Sequence, residues 1–184
     1  MSQAREIIGD RGDNALTLRS LAQAENTSTS AIYSLFGGRE QLIEAVVGEA
    51  MRVFITQVAG TLVSEEPPRV RVHEFALAYL AFAREHPGLY RVLFVRPRPA
   101  EITDVGDEAQ QFFQSLLELL GDAIGLPAED ATTAEAAVSM WLELHGIVAL
   151  PPSHPRFPWP SDHELVKRLV RRTLDPPSGE APSR

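Results

Sequence analysis

Five histidines, at positions 73, 86, 145, 154 and 163, are the chain's metal-ligand candidates, and none stands at H-x₃-H or H-E-x-x-H spacing. Cysteine is absent, which removes disulfides and thiolate sites. No metal and no cofactor is therefore expected. There is no G-x-S-x-G elbow and no phosphate-binding glycine loop, and Ser139 and His145 are too far apart in sequence to argue a dyad. No catalytic residue is expected either. What remains is hydrogen-bonding chemistry. Trp141 and His145 lie four apart and share a helix face. They form either a pocket wall, with His145 donating or accepting one bond, or a core tryptophan beside a satisfied core histidine. For Trp141 the core reading is the better one. A run of hydroxyls occupies Thr27, Ser28, Thr29, Ser30, Tyr33 and Ser34, with no Arg, Lys, Asn or Gln from Ser28 to Phe36. Tyr33 either packs within its motif or reaches a phosphate. Arg39 opens a helix, where the dipole disfavours a cation. An anion docking there would be attracted by helix end and guanidinium together.

These groups are carried on helices throughout. Apolar residues recur at helical spacing nearly everywhere, and strand signals are almost absent. Ala4, Ile7 and Ile8 mark a short first helix that stops near Gly12. Thr17 caps a second bearing Leu18, Leu21 and Ala22. A third carries Ala31, Ile32, Leu35 and Phe36 and ends at Gly37-Gly38. A longer helix runs from Arg39 to about Val63. Others are expected over 70–85, 89–94, 103–124, 131–150 and 162–174, with a proline-rich loop over 151–160. The fold class is all-α, about nine helices. The expected division is a three-helix unit within 1–45, a six-helix part over 46–175 and a disordered tail over 176–184.

Two short helices across a tight turn form a helix-turn-helix, whose second helix enters the major groove. Asn26 stands where the turn needs a positive φ, which asparagine tolerates. The order T-L-R-x-L-A, a three-residue turn, S-x-x-A-I-Y-x-x-F and then G-x-[KR]-E-x-L resembles the DNA-binding domain of the TetR family. The likeness covers roughly residues 4 to 47. It implies that Thr17, Tyr33 and Arg39 contact phosphates, and that Thr27, Ser28, Thr29, Ser30 and Ser34 face base edges. The chain departs from the family in placing Asn26 where glycine is usual. It also lacks bidentate base readers on the third helix, and only Met1 to Gln3 precede Ala4, so the basic arm is expected to be missing. HPGLYRVLF (86–94) and WLELHGIVAL (141–150) resemble a C-terminal subgroup with a Trp…His-Gly signature. That likeness implies a sensor without naming what is sensed. Phe75, Tyr79, Phe82, Phe112, Phe113 and Leu116 make an aromatic-rich set on adjacent helices, most of it core. Pockets between helices are mostly apolar, so a small, mostly apolar ligand is expected against Tyr79, Phe82, Phe112, Leu116, Trp141 and His145.

The expected partners are double-stranded DNA, a second copy of the chain and that ligand. A lone chain is expected to expose Ala137, Met140, Leu144 and Val148 on one helix and Leu165, Leu169 and Val170 on the next, stripes a homodimer would cover. The polar start lacks the apolar core of a secretion signal, and no apolar run approaches the length of a membrane span. A cytoplasmic protein without membrane contact is expected. The net charge of -8 argues against DNA binding, as does the head, where four arginines meet six carboxylates within 1–45. The rival expectation is a helical ligand-binding protein whose DNA binding is weak or lost.

Overall fold

The structure is a computed structural model, and the residues it describes are Gln3, Ala4, Ile7, 15–95 and 106–175. The expected tail, Ile8 and Gly12 lie outside them. Eight α-helices follow one another among the described residues. They are α1 (Leu18–Ala24), α2 (Thr29–Phe36), α3 (Arg39–Val63), α4 (Pro68–Glu85), α5 (Pro87–Tyr90), α6 (Gly106–Ile124), α7 (Ala131–Ser153) and α8 (Asp162–Leu174). A π-helical turn, Arg91–Val95, follows α5 where the spacing predicts a continuous short helix. The fold is all-α.

The helix ends follow from local chemistry. Thr17 and Ser20 form a reciprocal capping box at the start of α1. Ser28 accepts the Ala31 N–H at 3.1 Å to open α2, and Gly37 closes it at φ 81°. Asp130 accepts the Thr132 N–H at 2.8 Å to open α7. Ser161 and Glu164 form a second capping box on α8. Between α6 and α7 the chain folds back so closely that a Cβ on Gly121 would lie 2.6 Å from the Leu126 carbonyl oxygen, so only glycine fits. α7 does not stop at Leu150 but carries Pro151 and Pro152 in its last turn. Each proline keeps a helical φ but lacks the N–H that would return to the carbonyl four residues back, so the turn forgoes two bonds and is closed by the His154 N–H on the Leu150 carbonyl at 3.0 Å.

The described chain divides into two compact units, Met1–Thr56 with Phe82–Thr103, and Gln57–Ala81 with Asp104–Arg184. In the first, Ala4, Ile7, Leu16, Leu21, Ala22, Ile32, Leu42 and Val46 share one core, and Val92 from the π-helical turn completes it. Leu35 does not join that core as its spacing predicts; it is 75% exposed, beyond the core's edge near the end of α2. An aromatic group of Phe54, Phe82 and Phe94 lies in the same unit, with centroids 5.1 and 5.5 Å apart from Phe54 outward.

α3 is the one described helix long and apolar enough, by length and composition, to cross a membrane. Its burial runs in a single stripe, Leu42, Val46, Ala50, Phe54, Val58 and Leu62. Glu49 and Arg52 form an ion pair at 2.5 Å. A stripe every four residues beside a charged face is the pattern of a helix packed on protein.

In the second unit α7 packs against both α6 and α8, and the buried residues include Ala137, Met140 and Leu144 on α7 and Val166, Leu169 and Val170 on α8. Here the sequence expectation needs correcting. Ala137, Met140, Leu144, Leu169 and Val170 are buried inside the chain, and Val148 and Leu165 are half-buried. The exposed apolar face of α7 is the opposite one, with Val138, Trp141, Leu142 and Leu150 between 46% and 65% exposed. α7 is apolar nearly all round, so periodicity alone could not choose which face meets the core. On α8 the exposed side carries Lys167, Arg168, Arg171 and Arg172. Arg69 holds Asp175 through two hydrogen bonds, which keeps that carboxyl below its ordinary range. Both groups are exposed, so the pair adds little to stability.

Candidate nucleic-acid interface

α2 lies over the head core through Ile32 and turns its other side to solvent. Thr27, Ser28, Thr29, Ser30, Tyr33 and Ser34 are all exposed, as are Thr17, Arg19 and Arg39. Asn26, in the turn before α2, takes φ 50° as the turn requires. The structure thus sets every proposed DNA-facing side chain on the surface of one unit. Tyr33 is 58% exposed, which removes the reading of it as a packed residue.

Several of these hydroxyls already have work inside the protein. Ser28 accepts the Ala31 N–H, so its own proton is left to donate outward. Ser34 donates to the Ser30 carbonyl at 3.0 Å, so it faces outward with lone pairs. Thr17 accepts the Ser20 N–H at 3.0 Å and lies 3.1 Å from the Ser20 hydroxyl. Ser20 in turn donates to the Ala15 carbonyl at 2.7 Å. A phosphate oxygen can only accept, so a contact at Thr17 would draw its proton away from Ser20. The capping role and the phosphate role compete for one proton. Ser20, the partner that holds Thr17, was not singled out from sequence, because the usual capping-box signature has Glu or Gln three residues after the cap and serine stands there instead.

In the second unit Tyr79, on α4, is buried and places its hydroxyl 3.3 and 3.4 Å from the two ring nitrogens of His145 on α7. Trp141 packs on His145 from one turn away, with centroids 5.3 Å apart. Phe75 connects Tyr79 to Phe112 on α6 at 6.5 and 6.2 Å. Leu116 is half-buried on α6. Tyr79, Trp141 and His145 are thus brought together directly, and Phe112 joins them through Phe75, which sequence reasoning left out of the site. Phe82 belongs to the first unit, where it is fully buried against Phe54. Trp141 is not the core tryptophan expected: its indole is 48% exposed. Among the described residues no group of three or more His, Asp or Glu could hold a metal ion.

Burial pushes the His145 imidazole below its ordinary value of 6.5. The unfolded chain then binds this proton more readily than the folded one. His145 therefore lowers stability progressively as pH falls through about 6.5 toward the depressed folded value, and has no effect above it. The melting temperature should drop between pH 7.5 and 5, and His145→Gln should reduce that drop. An unchanged pH profile in the variant would contradict this.

Two family models match the chain. The one for bacterial regulatory proteins of the tetR family covers residues 1–46, and the one for the tetracyclin repressor-like C-terminal domain covers 72–173, more than half of the chain. The chain belongs to the TetR family. Solved structures agree in fold. A protein of unknown function from Rhodococcus sp. RHA1 superposes with TM-score 0.77 at 19% identity, covering 94% of this chain and 90% of that one. The TetR family transcriptional regulator PfmR from Thermus thermophilus gives 0.66 at 17%, covering 94% of each. Among curated proteins, the nucleoid occlusion factor SlmA of Haemophilus influenzae is 27% identical over 110 residues, 60% of this chain. This TetR-family chain spans about half the length of the curated relatives it matches, 50% in that case. Its match to the N-terminal family model ends at residue 46, yet the core beneath that segment includes Val92. The pairing is long-range, and no local pattern announces it.

Proposed function

We propose that this TetR-family regulator is a repressor that binds operator DNA as a homodimer and is released by a small, mostly apolar ligand. In this reading 1–45 serve DNA and 46–175 serve dimerisation and sensing, without enzymatic activity. The observation that carries it is the hydroxyl-lined outer side of α2, capped by Ser28 and held by Ile32, with Tyr33 and Arg39 exposed beside it. Tyr33 and Arg39 hold phosphates, Thr17 does so by giving up its bond to Ser20, and Thr27, Ser28, Thr29, Ser30 and Ser34 meet base edges. The dimer forms chiefly through the exposed face of α7, because the outward side of α8 is cationic. The ligand sits against Tyr79, Trp141, His145 and Phe112, and it releases DNA only by binding the released state more tightly than the bound one.

DNA selection with the purified chain tests the reading. One enriched, two-fold symmetric sequence is expected. Tyr33→Phe, which removes only the hydroxyl, should weaken binding to it about tenfold or more, since a hydrogen bond to a charged group contributes about 1.5–3 kcal/mol. A folded dimer that enriches nothing would favour the rival, a helical ligand-binding protein, for which the acidic balance of the head speaks.

A further inference from the structure

Gly146 lies inside α7 and has no reason to be glycine within its own chain. Its φ is not positive, and an added Cβ would meet nothing within 4 Å. Glycine is among the poorest helix formers, so an unneeded one in a helix interior is a cost without return. Two other helical glycines, Gly48 and Gly60, are equally open. Theirs are polar rows. Counting four residues either way, Gly48 stands between Glu44 and Arg52, and Gly60 between Thr56 and Ser64. Gly146 stands between Leu142, 65% exposed, and Leu150, 46% exposed, with Val138 continuing the row at 49%.

Residues four apart form the ridges by which helices pack into one another. The row Leu142–Gly146–Leu150 is a ridge with a notch at its centre and an apolar knob on each side. Two such ridges cross closely only where notch meets notch. The shape is self-complementary, and a ligand or an unrelated protein gives no cause for a notch centred between equal knobs. In a two-fold contact the residue at the crossing point meets its own copy. We propose that α7 crosses α7 of a second copy of this chain at Gly146, with the two-fold axis passing over the glycine. The inference rests on the homodimer reading and fixes the place where the two copies touch.

The chain has no cysteine, so single cysteines can be placed without background. Full-length Gly146→Cys, Val138→Cys and Leu150→Cys are oxidised mildly and run on a non-reducing gel. A disulfide needs Cα atoms within about 4.4–6.8 Å, which only the residue on the axis offers to its own copy. Gly146→Cys should cross-link at least ten times faster than the other two. Gly146→Leu fills the notch; it should weaken dimerisation a hundredfold or more in sedimentation while leaving the monomer's melting temperature unchanged or raised. A glycine kept for the protomer's own packing would instead lower that temperature. A stable dimer that cross-links fastest at Val138→Cys or Leu150→Cys overturns the axis placement alone. A wild-type chain that is monomeric at micromolar concentration overturns the homodimer reading and this inference together.

Discussion

Raising monovalent salt from 50 to 200 mM should weaken operator binding by roughly 150-fold, a shallow response for a dimeric regulator. The figure follows from the few cations at the interface. Among the described residues Arg19 and Arg39 are the exposed arginines flanking α2, and α2 itself carries none. Two per protomer neutralise about four phosphates in a dimer, and each contributes about -0.9 to the slope of log affinity against log salt, giving about -3.6. Contacts from Ser28, Tyr33 and backbone N–H groups add affinity while releasing few counterions. Arg39→Gln should bring the slope to about -1.8, so that the same change in salt costs only about 12-fold. Titrations of labelled operator across that range decide the matter. A wild-type slope near -8 would mean that other cations reach the DNA and that the contact face lies elsewhere. Sequence preference should rest partly on groove shape, because hydroxyls discriminate bases weakly.

Val92→Asp should reduce DNA affinity at least a hundredfold, although it lies 46 positions beyond the match to the DNA-binding family model. Val92 is 2% exposed in the core shared with Leu42, Val46 and Ile32. A carboxylate there would be buried without a partner, at a cost of several kcal/mol against a typical domain stability of about 5–15 kcal/mol. Val92→Ala should be milder, about 2 kcal/mol. Amide protection over 16–46 should collapse in the aspartate variant, while fluorescence of Trp141 and Trp159 still reports a folded second unit. Normal protection and DNA binding in Val92→Asp would show that the head core does not depend on the turn.

The contrast between these two predictions marks what the sequence makes legible. Features whose physics is local can be read directly: Thr17 as a cap, Asn26 as the positive-φ residue, Gly37 as a helix stop, and α3 and α8 to their ends. Features decided by which surfaces meet cannot. α7 offers apolar residues on both sides, so Leu144 and Leu142 look alike in the sequence and only packing separates them. Pro151 and Pro152 read as a loop because proline removes a helical hydrogen bond, yet the helix runs through both to Ser153. The hydroxyls of the proposed DNA-facing side were visible as residue types. Which of them has its proton already committed became visible only with their partners in place.

The chain enters its first compact unit twice, leaving after Thr56 and returning at Phe82. During synthesis the helix-turn-helix emerges early, but the side chain that closes its core follows only after a twenty-five-residue excursion into the other unit. A nascent chain ending before Val92 thus lacks one apolar member of the core that holds Leu16, Leu42 and Val46. Such transiently uncovered surface is what invites aggregation or chaperone capture. The core of the first unit is complete only after the chain has returned from the second.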